Sequence, residues 1–200
     1  MTPRLVLLDS GGANLGSVQA AFARLGVEAP TTSDPGLIRN ATHVVLPGVG
    51  AASTCMAKLR ANGLDQIIPR ITQPLLGICV GMQLLYERSE ESDTTCLGLL
   101  PGVVGLLTPE TGVRVPHMGW NRLSLGEDRT DPLTDGLDGA SVYFVHSYAA
   151  PPSSDTRATT THGKPFTAIA VRGLVMGAQF HPERSSAAGA RLLQNFLSIS

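Results

Sequence analysis

The stretch Pro74-Leu75-Leu76-Gly77-Ile78-Cys79-Val80-Gly81-Met82-Gln83-Leu84-Leu85-Tyr86 limits the possible folds more than any other part of this 200-residue chain. Residues 75–78 are a short apolar run of the kind buried in a parallel sheet, and residues 82–88 have helical spacing with no breaker. Cys79 therefore falls at a tight strand-to-helix turn. Gly77 and Gly81 flank it as G-x-C-x-G, the thiol counterpart of an elbow that projects one reactive side chain from a strained backbone. The free N–H groups and dipole of a helix N-terminus favour thiolate over thiol, and the N–H of Val80 points where an oxyanion would form. Two readings stay open at this level: a nucleophile, or a buried cysteine that serves only as a small apolar group.

Before the elbow, strands and helices alternate. Strands are expected over residues 4–9, 27–32 and 43–46, and helices over 15–25, 53–62 and 64–71, the last two broken at Gly63. That order predicts an α/β fold: a doubly wound, mostly parallel central sheet with helices on both faces, in one domain spanning residues 1–200. Gly11-x-Ala13-x-x-Gly16 loosely follows the dinucleotide fingerprint, with Asp34 the one candidate for a ribose-binding acid. No Lys-Ser/Thr follows the glycines, a plain βα turn is the preferred reading, and no cofactor is expected. Pro47-Gly48-Val49-Gly50 follows a strand at the sheet's carboxyl edge, where a backbone can approach a substrate closely; glycines for turn geometry alone is the other reading.

After residue 88 the texture changes. Residues 89–95 read as a solvated acidic loop, and residues 98–161 are rich in Gly, Pro and Thr, with short strands expected at 103–107, 113–115, 121–125 and 141–148. This predicts an additional antiparallel region in the C-terminal half. Pro116-His117-Met118-Gly119-Trp120-Asn121 holds the only Trp; from the residues alone, a partly buried core side chain is preferred to a docking anchor, and His117 reads as structural. Phe144, His146 and Tyr148 share one face of a packed aromatic strand. A hairpin over 167–171 and 174–180, turning at Arg172-Gly173, leads into Gln179-Phe180-His181-Pro182-Glu183 and a closing helix over 186–197. Pro182 should hold the segment extended, so that His181 and Glu183 leave the same side. A carboxylate beside an imidazole fixes its tautomer and steadies the imidazolium. With Cys79 this set could perform acyl transfer through a thioester, which defines a cysteine-dependent hydrolase or transferase and leaves the acyl compound open.

Charge narrows the partners. Fifteen Lys and Arg against 16 Asp and Glu give a net charge of −1, which leaves no basic face for nucleic acid and no polybasic patch for a membrane. The longest apolar runs are too short to span a bilayer, and Met1-Thr2-Pro3-Arg4 has no signal-peptide shape. Cys55, Cys79 and Cys96 form neither a disulfide framework nor a metal-binding spacing, so a reducing, cytoplasmic location without a metal is expected.

Taken together, Gly77-Ile78-Cys79-Val80-Gly81-Met82-Gln83 and Gln179-Phe180-His181-Pro182-Glu183 resemble the class I (triad-type) glutamine amidotransferases. Pro47-Gly48-Val49-Gly50, Pro116 to Asn121 and Tyr143-Phe144-Val145-His146-Ser147-Tyr148 are similar, more narrowly, to the glutaminase subunits of imidazole glycerol phosphate synthase, over the full chain. The resemblance implies a Cys79, His181 and Glu183 triad that hydrolyses L-glutamine to glutamate and ammonia. It implies an oxyanion strand at Gly48, Val49 and Gly50 whose backbone near Val49 reorients to donate, with Val80 the second donor. Gln83 and the backbone around Ser147 and Tyr148 would hold the ends of glutamine. The partner would be a (β/α)₈ cyclase subunit receiving the ammonia, docked near Met118, Trp120 and Asn121, with Arg184 pairing with an acid across the interface. Two departures border the oxyanion strand: Ser10 and Ala13 stand where the family usually has Tyr and Gly, and Ala52 where it usually has Phe.

Overall fold

A computed structural model describes residues 3–11, 14–109, 112–126 and 131–200. In the first half, β1 (Leu5–Leu8), β2 (Thr31–Thr32), β3 (His43–Gly48) and β4 (Leu75–Cys79) alternate with α1 (Leu15–Ala23), α2 (Pro35–Asn40), α3 (Ala52–Ala61) and α4 (Leu64–Ile67). β1, β3 and β4 are buried at every position, with no alternation of polar residues. Strands covered on both faces must read that way. After α5 (Val80–Gln83) come β5 (Arg88–Ser89), β6 (Thr94–Thr95), β7 (Val103–Leu106), β8 (His117–Arg122), β9 (Ser124–Leu125), β10 (Ser141–His146), β11 (Tyr148–Ala149), β12 (Thr156–His162), β13 (Lys164–Arg172), β14 (Val175–Ala178) and α6 (Ser186–Ser198).

The main sheet runs β2-β1-β3-β4-β14-β13-β12-β9. Pairing is parallel from β2 through β14 and antiparallel beyond it. β8 and β10 form a separate antiparallel ribbon, and β11-β7-β5-β6 a small sheet. The fold is thus the expected α/β class with an antiparallel addition. Its decisive pairing is β4 with β14, whose register sets Gly77 beside Gly177 and Ile78 beside Ala178. Cys79 and the segment from Gln179 onward therefore emerge side by side at the same carboxyl edge.

Several elements differ from expectation. The second strand shrinks to Thr31–Thr32, losing its first four residues, and Asp34 directly after it starts α2: its carboxylate accepts the N–H groups of Gly36 and Leu37 at 2.7 and 2.9 Å, with Pro35 in the first turn. Asp34 is a helix cap, and Gly12 and Ala13 of the glycine loop lie outside the described residues. The helix expected over 82–88 stops at Gln83. The carbonyls of Leu84, Leu85 and Tyr86 instead accept N–H groups from residues 97–100, so tertiary pairing replaces the next helical turn. Residues 113–115 hold a single bridge at Val113, the tryptophan segment is the strand β8, and the Thr-rich β12 was not anticipated.

The glycines of the elbow are required by contact. A Cβ on Gly81 would run into the carbonyl oxygen of Leu46, and one on Gly77 would lie 2.7 Å from the carbonyl oxygen of Gly81. β3, β4 and α5 thus meet backbone to backbone. Gly81→Ala is expected to destabilise the fold by about 3 kcal/mol or more in chemical denaturation. Gly16→Ala, in α1 with open space around the new methyl, should stabilise by about 0.5–1 kcal/mol.

Candidate active site

Cys79 ends β4 with φ 53° and ψ −114°, a conformation that L residues rarely adopt. The turn directs the thiol toward residues 145 and 179: Sγ lies 3.9 Å from the Val145 carbonyl and 3.9 Å from Gln179 Nε2. The helix that follows has only four residues, so its dipole offers less to a thiolate than the sequence suggested. The positive charge comes instead from His181, which lines the same cavity as the thiol and interacts with it.

His181 is fixed at both ends. Its N–H donates to Tyr143 of β10 at 3.0 Å, and Ser185 Oγ donates to its carbonyl at 2.6 Å. Its Nδ1 lies 2.7 Å from Glu183 Oε1, an oxygen that also accepts Asn14 Nδ2 at 2.5 Å. Residues 182–184 are a 3₁₀ turn, not the extended segment expected from Pro182, and the turn folds the carboxylate back onto the ring. Burial pulls the imidazole's pKa down; the hydrogen bonds and charges of Cys79 and Glu183 push it up further, to about 10. The ring is therefore poised to be an imidazolium opposite the sulfur.

A cavity of about 500 Å³ opens over these groups. Of the residues singled out from the sequence, Cys79, His181, Val49, Gly50, Val80, Gln83, Ser147, Tyr148 and Arg184 line it. Gly48 packs behind against Gly81, and Glu183 stands behind His181, its side chain 1 % exposed. Gln83 is buried, with Nε2 donating to the Tyr148 carbonyl at 2.8 Å and to Gln179 Oε1 at 3.1 Å. Met118 and Trp120 lie outside the cavity on β8, 64 % and 57 % exposed, which overturns the core reading of the tryptophan. Asn121, on the same strand, faces inward to the Thr161 carbonyl at 3.0 Å.

The wall also holds residues that sequence reading passed over. Glu91, in the segment read as a solvated loop, lines the cavity and accepts the N–H of Ala52 at 2.6 Å. Ser10, buried, donates its hydroxyl to the Pro47 carbonyl at 2.5 Å, and the Cys55 thiol lies 3.5 Å from the Val49 carbonyl. The proposed oxyanion segment is thus tied down on both sides despite the departures at Ser10 and Ala52. Asn14, Pro116, Val145 and His146 complete the wall. Among the described residues, no cluster of three or more His, Cys, Asp or Glu could hold a metal ion.

An α/β sheet with a thiol, an imidazole and a carboxylate lined up at its carboxyl edge has the build of a cysteine-dependent hydrolase or transferase. The family model described as glutamine amidotransferase class-I matches residues 6–199. The HisH subunit of imidazole glycerol phosphate synthase from Xanthomonas campestris pv. campestris (strain 8004) is 56% identical over 197 residues, covering 98% of each chain. That of Xylella fastidiosa (strain Temecula1) is 53% identical over 195 residues, or 98% of this chain and 97% of its own. The chain belongs to the class-I glutamine amidotransferases and, within them, to the HisH family. Solved structures agree on the fold. A crystal structure of a glutamine amidotransferase superposes with a TM-score of 0.74 at 19% identity, covering 96% of this chain and 97% of that one. The PurLQS structure from Thermotoga maritima gives 0.72 at 18%, covering 98% of both.

Proposed function

We propose that the chain hydrolyses L-glutamine to glutamate and ammonia through a thioester on Cys79. It delivers the ammonia to a (β/α)₈ cyclase subunit, which makes imidazole glycerol phosphate and AICAR in histidine biosynthesis. The observation that carries this reading is the buried line from Asn14 through Glu183 and His181 to Cys79, opening on a cavity of about 500 Å³ in a HisH-family chain.

The chemistry follows from the line. The Cys79 thiolate attacks the side-chain amide carbon of glutamine, and the carbonyl electrons move onto oxygen, facing the N–H of Val80 and that of a reoriented Val49. As the tetrahedral centre collapses, the carbon–nitrogen bond breaks and His181 gives its proton to the nitrogen, releasing ammonia and leaving a thioester. A water then gives a proton to His181 as its oxygen attacks the thioester carbon, the carbon–sulfur bond breaks to return the Cys79 thiolate, and glutamate departs. Glu183 stays ionised throughout and holds Nδ1. Gln83 and the backbone at Ser147 and Tyr148 hold the ends of the substrate. Ammonia in bulk water near neutral pH is mostly protonated and no longer nucleophilic, so direct transfer to the partner is favoured. Met118 and Trp120, exposed on the outer face of β8, form the docking face with Arg184, while Asn121, turned inward to the Thr161 carbonyl, supports it from behind. Among the described residues no helix is long and apolar enough to cross a membrane, and Cys55, Cys79 and Cys96 are free thiols.

The test is to assay glutamate release by the purified chain alone and with the cyclase and its ligand. Slow release that accelerates on mixing is expected, and full activity without the partner would count against the coupling. A glutamine-like electrophile should label Cys79 in preference to Cys55 and Cys96; absence of labelling would remove the thioester.

A further inference from the structure

A second set of buried polar groups runs from the cavity wall to the outer strand β8. His146 Nδ1 lies 2.9 Å from the Tyr148 carbonyl oxygen. A carbonyl only accepts, so Nδ1 carries the proton and, in a neutral ring, Nε2 is a bare acceptor. His117 Nδ1, 3.2 Å from that Nε2, must then be the donor. His117 Nε2 is left bare in turn and receives Asn121 Nδ2 at 3.3 Å, while the same amide nitrogen donates to the Thr161 carbonyl at 3.0 Å. The amide orientation is therefore fixed independently by the Thr161 carbonyl. One carbonyl at each end sets every tautomer between them.

The chain has no place for an additional proton. A proton on His146 Nε2 would face the N–H of His117, and one on His117 Nε2 would face the amide of Asn121. The surroundings also oppose charge. Phe144 stacks on His117 at 4.8 Å and Phe166 packs edge-on to both rings. The titratable groups around them, His162 of β12 stacked on His117 at 4.0 Å and His181 beyond His146, add only positive charge when protonated. Burial accordingly lowers the pKa of His117 to about 4 and of His146 to about 3.

We propose that His117 and His146 are positioning residues, locked in the neutral Nδ1–H form, that pin the Tyr148 carbonyl from strand β8 and so set the backbone that holds glutamine. Among the described residues the Tyr148 carbonyl takes two side-chain donors, His146 Nδ1 and Gln83 Nε2, so losing one leaves the carbonyl on a single side-chain donor. Along β8, His117 and Asn121 face inward while Met118 and Trp120 face out. A displacement of β8 by a partner on its outer face thus reaches the substrate through two rings. This inference rests on the glutaminase reading for what the backbone at Ser147 and Tyr148 binds; the tautomers do not.

The experiment has two arms. Nitrogen-15 NMR of histidine-labelled full-length protein should show two neutral rings protonated at Nδ1 and unchanged down to pH 5. An Nε2–H form or an imidazolium at either residue overturns the proposal. In the glutaminase assay with the cyclase present, His117→Leu removes the donor to His146 and should raise KM for glutamine about tenfold with kcat within about twofold. His117→Asn, which keeps an amide N–H near the place of Nδ1, should recover most of that loss. An unchanged KM in the leucine variant, or equal losses in both, overturns it. If the leucine variant does not fold, the ring tautomers of the unmutated protein still decide. If the glutaminase reading is at fault, the unmutated protein fails to turn over glutamine while the NMR arm still reports.

Discussion

Cys79→Ala will release no glutamate from glutamine above background in the presence of the cyclase, a loss on the order of 10⁵-fold or more, because no other group can form the acyl intermediate. The same complex should still make its product from added ammonium salts, since the cyclase needs only ammonia. Loss of both activities would mean that Cys79 supports the assembly and is not the nucleophile. The strained backbone adds a second readout. At φ 53° and ψ −114° a side chain costs about 1–3 kcal/mol, and glycine relieves that strain. Cys79→Gly should therefore denature at a higher urea concentration than the unmutated protein, stabilised by about 1 kcal/mol after the cost of glycine's own flexibility, while being equally inactive. A thiol kept where glycine would be more stable is there for its chemistry. Should Cys79→Gly prove less stable, the elbow is held by packing of the sulfur, and the argument from strain fails.

Much of this was legible in the residues. Continuous apolar runs at β1, β3 and β4 separated by helical spacing dictated the parallel half of the sheet, and the glycines around Cys79 announced the elbow because only they let three backbones meet. The failures have physical causes. The helix after Cys79 ended early because its carbonyls pair with residues 97–100, a long-range competition that local spacing cannot register. Asp34, the one residue that a nucleotide reading could have used, caps α2 instead, as Asp-Pro at a helix start implies. Glu91 looked solvated because its partner, the N–H of Ala52, lies 39 residues earlier. Asn14 sits in the loop after β1, at the same edge as the elbow, and that position was the available signal; its contact with Glu183, 169 residues away, was not. His117 reads as structural and His146 as part of a packed aromatic strand, because local spacing cannot show that two histidines 29 residues apart pair with each other.

The second large effect concerns the acid. Glu183→Gln keeps the length of the side chain and an oxygen that can accept both His181 Nδ1 and Asn14 Nδ2, so it removes charge with little change of shape. With the cyclase present, kcat should fall about 10²–10⁴-fold, the range for losing the stabilisation of a catalytic imidazolium. The pH profile gives the sign. Burial lowers the pKa of His181, and the Cys79 and Glu183 interactions raise it beyond recovery of that loss, to about 10; without the carboxylate's charge it must fall. The alkaline limb of kcat/KM should therefore move to lower pH in the variant. Stability follows the same linkage. A histidine whose folded pKa is raised above its ordinary 6.5 contributes stability in full below that value and loses it as pH climbs toward about 10. Urea denaturation between pH 6.5 and 10 should show the unmutated protein losing stability more steeply than Glu183→Gln. An alkaline limb at the same pH in both proteins would show that the carboxylate does not steady the imidazolium, and the roles assigned to Glu183, and to Asn14 behind it, would have to be given up.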